Sequence, residues 1–259
     1  NGLIFADVAA ESEAETKAWF SDFSERVVDA LVQYGFPRCP GGIMASNPRW
    51  CKSEADWEKE FLDWIKDPNP YTLRMATIFF DFRPLYDGLH FLERLRSKIH
   101  QAIDDQPLFL RFMAKNALYN RPPLGLLRNF TVEKSGEHKN KLNLKTKGLM
   151  PVVDCVRILA LDQHIKTTNT NERLEAIHER GLIDKDFKAD LSEAYNFMNY
   201  LRINHHLDAR TKGVEPDNFL NPSDLNSLQR RTLKESFGVV SRLQEMVEYR
   251  YQTGFVLET

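Results

Sequence analysis

The run Thr77-Ile-Phe-Phe-Asp-Phe-Arg-Pro84 constrains this chain most strongly. Five of the seven residues 76–82 are apolar, and turn signals flank them. So short a run, rich in aromatic and β-branched residues, predicts a buried strand rather than a helix. Alternation would put Ile78, Phe80 and Phe82 on one face, with Thr77, Phe79 and Asp81 on the other. A carboxylate inside such a strand is costly unless it is hydrogen-bonded, paired with a cation or bound to a metal. Two readings of Asp81 therefore stand open. It is either a structural partner of an arginine such as Arg83, or a metal-binding acid at the carboxyl edge of a sheet.

The chain around this run can support a core. With 42% hydrophobic and 28% charged residues it is not of the disordered class. A formal charge of −2 gives no electrostatic case for nucleic acid or an anionic membrane, and no apolar run nears the roughly 20 residues of a membrane span. Three cysteines, Cys39, Cys51 and Cys155, match no zinc spacing and suit a reducing compartment, so a cytoplasmic location is expected. The opening Asn1-Gly-Leu-Ile-Phe5 has neither an initiator methionine nor a basic leader, which predicts a piece of a longer protein.

Taken in order, residues 3–5 predict a short strand. Ser12 and Glu15 have capping-box spacing ahead of a helix whose inner face would carry Phe20, Phe23, Val27, Leu31 and Tyr34, closed by Gly35. The loop 39–48 contains Gly41-Gly42, which permits either an ordinary turn or close approach to a phosphate. Ser53 opens a helix with Trp57, Phe61, Trp64 and Ile65 on one face, ended by Pro68 and Pro70. A further stripe, Leu89, Leu92, Leu95, Ile99 and Ile103, completes an alternation of strands and helices over the first hundred residues.

From Pro107 the pattern turns helical. An irregular arm or β-hairpin is predicted near 126–146, carrying Lys134, Lys139, Lys141, Lys145 and Lys147. Stripes through Val152 and Val156, through Phe187, Leu191 and Met198, and through Leu233, Phe237 and Val240 suit an antiparallel bundle of about four helices. Asn169 reads as a cap, and the last helix is predicted to begin near Ser223. The expected fold class is thus α+β, an α/β sheet domain over 1–105 followed by a helical domain over 106–259.

Chemical motifs are sparse. There is no GxGxxG, Walker loop, HExxH, GxSxG or EF-hand loop. His205 and His206 are neighbours on a predicted helix, about 100° apart, and cannot both face one metal. Arg157, Arg202 and Gln244 fall on inward positions, where hydrogen bonding between helices is the default reading.

Several stretches together resemble a known family. Asn1-Gly-Leu-Ile-Phe5, Cys39-Pro-Gly-Gly-Ile-Met-Ala-Ser-Asn-Pro-Arg-Trp50 and Phe80-Asp-Phe-Arg-Pro84 are similar to the nucleotidyltransferase domain found behind cyclic-nucleotide-binding and CBS modules in bacterial signalling proteins, itself similar to PII-protein uridylyltransferases. Lys147-Gly-Leu-Met-Pro-Val-Val-Asp-Cys-Val-Arg-Ile-Leu-Ala-Leu161, Asn171-Glu-Arg-Leu174 and Leu201-Arg-Ile-Asn-His205 resemble its companion helical substrate-binding domain. The resemblance implies a truncated nucleotidyltransferase sheet, Mg2+ as cofactor, a nucleoside triphosphate as substrate, a protein acceptor (PII-like by analogy) and upstream sensor domains. Asp81 matches the family's third metal-binding carboxylate. Arg83, Lys145, Gly41 and Gly42 are the expected substrate contacts. The Gly-Ser turn and Asp pair of the family would precede Asn1, so the fragment is expected to be inactive. The alternative is a non-catalytic output domain that binds a partner.

Overall fold

The computed structural model describes residues 2–86, 88–125 and 129–255. In chain order the main elements are β1 (Leu3–Phe5), α1 (Ala10–Gln33), β2 (Cys51–Ser53), α2 (Glu54–Lys66), α3 (Pro70–Phe79) and α4 (Phe91–Asp105). They continue as α5 (Pro107–Ala117), β3 (Leu142–Asn143), α6 (Met150–Asp162), α7 (Thr170–Glu179), α8 (Lys185–Thr211), β4 (Phe219–Leu220) and α9 (Ser227–Tyr251). The architecture is α+β with a large helical region. Among the described residues no helix is long and apolar enough to cross a membrane.

Two compact units share the chain: Asn1–Asp67 with Phe82–Ala102, and Pro68–Asp81 with Ile103–Thr259. The first is a small βαβ unit. β1 and β2 run parallel with Leu3 opposite Cys51 and Phe5 opposite Ser53, and the crossover between them contains α1, as parallel pairing requires. Phe5 stacks on Phe20 of α1 at 4.8 Å, and the Trp57 indole of α2 donates to the Leu3 carbonyl at 2.9 Å. Ser53 caps α2 as its sequence predicts, accepting from the Asp56 amide, and Trp57, Phe61, Trp64 and Ile65 are all buried. Arg94 of α4 forks onto both oxygens of Glu54 at 2.6 and 2.7 Å.

The expected face of α1 is corrected. Ser12 lies inside the helix, which starts from Ala9 without a side-chain cap. Ser24 and Val28 are the buried positions, whereas Phe23, Val27 and Tyr34 are exposed. Gly35 does stand past the helix end, at φ +91°.

The larger correction concerns residues 76–82. They are not a strand: α3 runs through Phe79, and Asp81 lies in the turn beyond its C-cap, Phe80. The cause lies seven residues upstream. Asn69 accepts from the amides of Tyr71 and Thr72, the Thr72 hydroxyl accepts from the Asn69 amide, and Pro70 occupies the first turn. That is a complete helix start. Leu73, Ala76 and Phe80 are then buried at three- and four-residue spacing.

The second unit is a helical bundle in which α8 and α9 pack along each other, α6 contacts α5, α7 and α9, and α5 contacts α9. Its core includes Phe109, Val152, Val156, Leu174, Leu191, Met198, Leu233, Phe237 and Val240, each at most 1% exposed. Asn169 and Asp184 cap α7 and α8 through their carboxamide and carboxylate oxygens. α9 begins later than its sequence predicts: residues 222–224 form a 3-10 turn, and Asn226 with Gln229 makes the capping box. The arm is irregular. Glu133 donates its amide to Lys141 O and accepts from the Asn140 amide, both at 2.9 Å. Leu142–Asn143 pairs antiparallel with Phe219–Leu220, away from the arm. Part of the predicted arm strand, residues 126–128, lies outside the described residues.

A π-helical turn, Lys145–Leu149, leads into α6. It is seated by close packing at Gly148. A Cβ there would lie 2.7 Å from Met198 Sδ, 3.1 Å from Phe237 Cε1 and 3.3 Å from Leu144 Cδ1. Overpacking a filled core costs about 1–3 kcal/mol, more than the roughly 1 kcal/mol that alanine gains over glycine in a helix. Gly148→Ala is therefore expected to lower the urea midpoint. An unchanged or raised midpoint would contradict the close fit.

Candidate functional site

Asp81 sits inside a chain of alternating charges, between Arg157 and Arg173. Its Oδ2 accepts from Arg157 Nε at 2.7 Å, and its Oδ1 accepts from Arg173 Nη2 at 2.5 Å. Arg157 also donates from Nη1 to Asp154 Oδ1 at 2.6 Å, one helical turn away on α6. Arg173, in α7, spends its Nε on the Thr167 carbonyl at 2.8 Å. The two arginine side chains are only 9% and 3% exposed, and Asp81 is 22% exposed. Four groups on three elements thus balance to zero charge in a mostly buried setting.

The two acids respond in opposite ways. Burial works against ionisation of Asp81, but Arg157 and Arg173 outweigh it and hold its carboxyl below the usual range. For Asp154 burial wins over its single arginine, and the charge on Asp81 adds to the upward shift. Guanidinium planes make directional, charge-assisted bonds, so the cluster fixes orientation as well as charge.

The donor set does not suit magnesium. Each Asp81 oxygen already accepts from a guanidinium, two positive groups face it directly, and among the described residues no three acid, histidine or cysteine side chains gather around a metal-sized gap. What the cluster offers is a pair of convergent guanidiniums holding a carboxylate.

The other residues expected at a site are dispersed. Arg83 is exposed and is not a partner of Asp81. Lys145 is exposed at the first position of the π-helical turn. Gly42, at φ +67°, closes a turn with Cys39, and its carbonyl accepts from Asn47 Nδ2 and Trp50 Nε1. Amides of Ile43 and Gly41 face the Cys39 sulfur and pull its thiol below the usual value. Arg202 and Gln244 do make hydrogen bonds between segments, to Asn218 Oδ1 and to the carbonyls of Ala117 and Asn120. His205 pairs with Asp217 at 2.9 Å.

Sequence reasoning missed Arg173 and Asp154. A signal existed for the first: Arg173 and Ile177 are four residues apart, next to Leu174 on the same inner stripe, so its head had to find an acid indoors. Asp154 sits three residues before the inward Arg157.

The chain thus holds a βαβ unit and a helical bundle with an internal arginine pair. Comparison with protein families makes this particular. Residues 107–251, more than half the chain, match the family described as "Putative nucleotidyltransferase substrate binding domain", and residues 1–71 match "Putative nucleotidyltransferase DUF294". The chain belongs to this nucleotidyltransferase-related family. Among curated proteins nothing matches.

Removing a carboxylate that waits for a cation relieves repulsion, whereas removing one clamped by buried cations strands them. Asp81→Asn is therefore expected to destabilise the protein by about 3 kcal/mol in urea unfolding at pH 7. Stabilisation by this substitution would refute the clamp. The pH sign follows from the depressed folded value. The Asp81 contribution is complete above about pH 4, the ordinary carboxylate range, and is lost as pH falls through the lower folded value. The gap in stability between wild type and Asp81→Asn should accordingly persist at pH 5 to 7 and close below about pH 4. A gap that closes between pH 5 and 7 would contradict this assignment.

Proposed function

We propose that this chain supplies the substrate-holding part of a nucleotidyltransferase that moves a uridylyl or adenylyl group from a nucleoside triphosphate to a protein hydroxyl. The observation that carries the reading is the pair of family matches in chain order, with the helical match lying inside the second compact unit. In such a transfer the acceptor oxygen bonds to the α-phosphorus, the bond to the bridging oxygen breaks, pyrophosphate leaves and the hydroxyl proton passes to a base. Little covalent chemistry falls to the protein, so positioning and charge carry the rate.

Within this reading Arg157 and Arg173 are positioned by Asp81. Lys145 and Arg83, both exposed, remain candidate substrate contacts, each on its own unit. No role falls to Gly41 and Gly42, whose turn is closed on itself. The Asp81 clamp also favours a second reading, in which the helical unit binds a partner as the output of a sensor protein and transfers nothing.

Labelled nucleotide separates the two. With the full-length protein and a lysate of its host, label from α-phosphate-labelled UTP or ATP should enter acid-precipitable protein, and label from the γ-phosphate should not. Absence of transfer from both nucleotides, with partner capture by the same protein, would replace the first reading by the second.

A further inference from the structure

A cavity of about 520 Å3 opens at the base of the arm, wholly within the helical unit. That volume is in the range of small-molecule sites. Arg121, Lys134 and Lys147 line it, against the single acid Glu133, so its wall carries a net charge of +2. The hydroxyls of Thr131 and Ser135 add neutral donors beside these cations.

The cations are held for use rather than spent on each other. Among the described residues neither Lys134 nor Lys147 has an ion-pair partner. Arg121 reaches Glu248 at 2.8 Å, but both side chains are nearly half exposed, and such pairs are weak and exchangeable. Lys147 sits on rigid backbone. The Thr146 amide donates to Asn143 Oδ1 at 3.0 Å, the Leu144 amide donates to Asn218 O at 2.9 Å, and Gly148 is jammed against Met198 and Phe237. The rung between Glu133 and Lys141 fixes the chain next to Lys134. A cation on fixed backbone costs less to order when an anion arrives.

The remaining wall is apolar apart from Asn143. Pro122 and Pro123, both mostly buried, come from the loop after α5, and Val132 and Leu142 also line the cavity. Cations and hydroxyls next to an apolar wall suit a ligand with a phosphate chain at one end and a flat ring at the other. We propose that this cavity is the nucleotide site of the chain, with the phosphates on Lys134 and Lys147 and the base against the prolines. The identity of the ligand as a nucleotide rests on the transferase reading above; the cation cluster does not.

Calorimetric titration of the protein with tripolyphosphate, ATP and UTP at low salt tests this. One-to-one binding is expected, tighter for the nucleotides than for tripolyphosphate. Lys147→Ala and Lys134→Ala should each weaken it about tenfold, with less effect as salt rises. Lys188→Ala, which removes a cation paired with Glu175 outside the cavity, should leave affinity unchanged. Urea midpoints identical to wild type would show that the lysine variants are folded. No binding of any probe, or equal binding by the Lys134→Ala/Lys147→Ala double variant, would overturn the site. Tripolyphosphate binding as tightly as both nucleotides would overturn the role of the apolar wall. Labelled transfer with an unchanged nucleotide KM in the double variant would remove this site and leave the transferase reading standing. Lysine-dependent binding without any transfer would do the reverse.

Discussion

Arg173 is folded into the helical unit with 3% of its side chain exposed, and a charge placed there must meet an opposite charge. Asp81 provides it, and Arg157 completes the balance with Asp154. The arrangement ties together the turn after α3, the middle of α6 and the start of α7. A buried ion network of this kind contributes little net stability against a well-packed apolar alternative, but losing one member is costly. Its value is orientation. Directional charge-assisted bonds tie three elements to one another.

Around that cluster the helical unit is built by long stripes and close fits. α8 and α9, 27 and 25 residues long, supply Leu191, Met198, Leu233, Phe237 and Val240 to the core. The π-helical turn before α6 presses Gly148 against two of these side chains, Met198 and Phe237. The same turn carries Lys145 and Lys147 outward from a fixed base. The βαβ unit is slighter: two strands of three residues, stiffened by the Phe5–Phe20 stack and the Trp57 hydrogen bond to Leu3.

How much of this was legible in the sequence depended on the range of the interaction responsible. Local signals read correctly: Ser53 and Asn169 cap helices where their spacing predicts, and the apolar face of α2 is the buried one. The run at residues 76–82 misled because its composition suits a strand when taken alone. The helix it belongs to is started by Asn69 and Thr72, outside the run, and a cooperative helix propagates once started. α1 misled in the opposite way, since its most hydrophobic stripe is not the one its neighbours cover. The acid at 81 was legible as a residue that needs a cation. Its partners, 76 and 92 positions away, were not, because no local spacing encodes a contact of that separation.

The five-residue turn at Lys145–Leu149 holds one residue more than an α-helical path would need. Deleting that residue would rotate what precedes it by about 100° relative to α6. The core side of the turn, at Gly148 and Leu149, and the basic side, at Lys145 and Lys147, would then change places in part. The extra residue therefore decides at once which side chains stand at the mouth of the cavity and which one meets Met198 and Phe237 of the long helices.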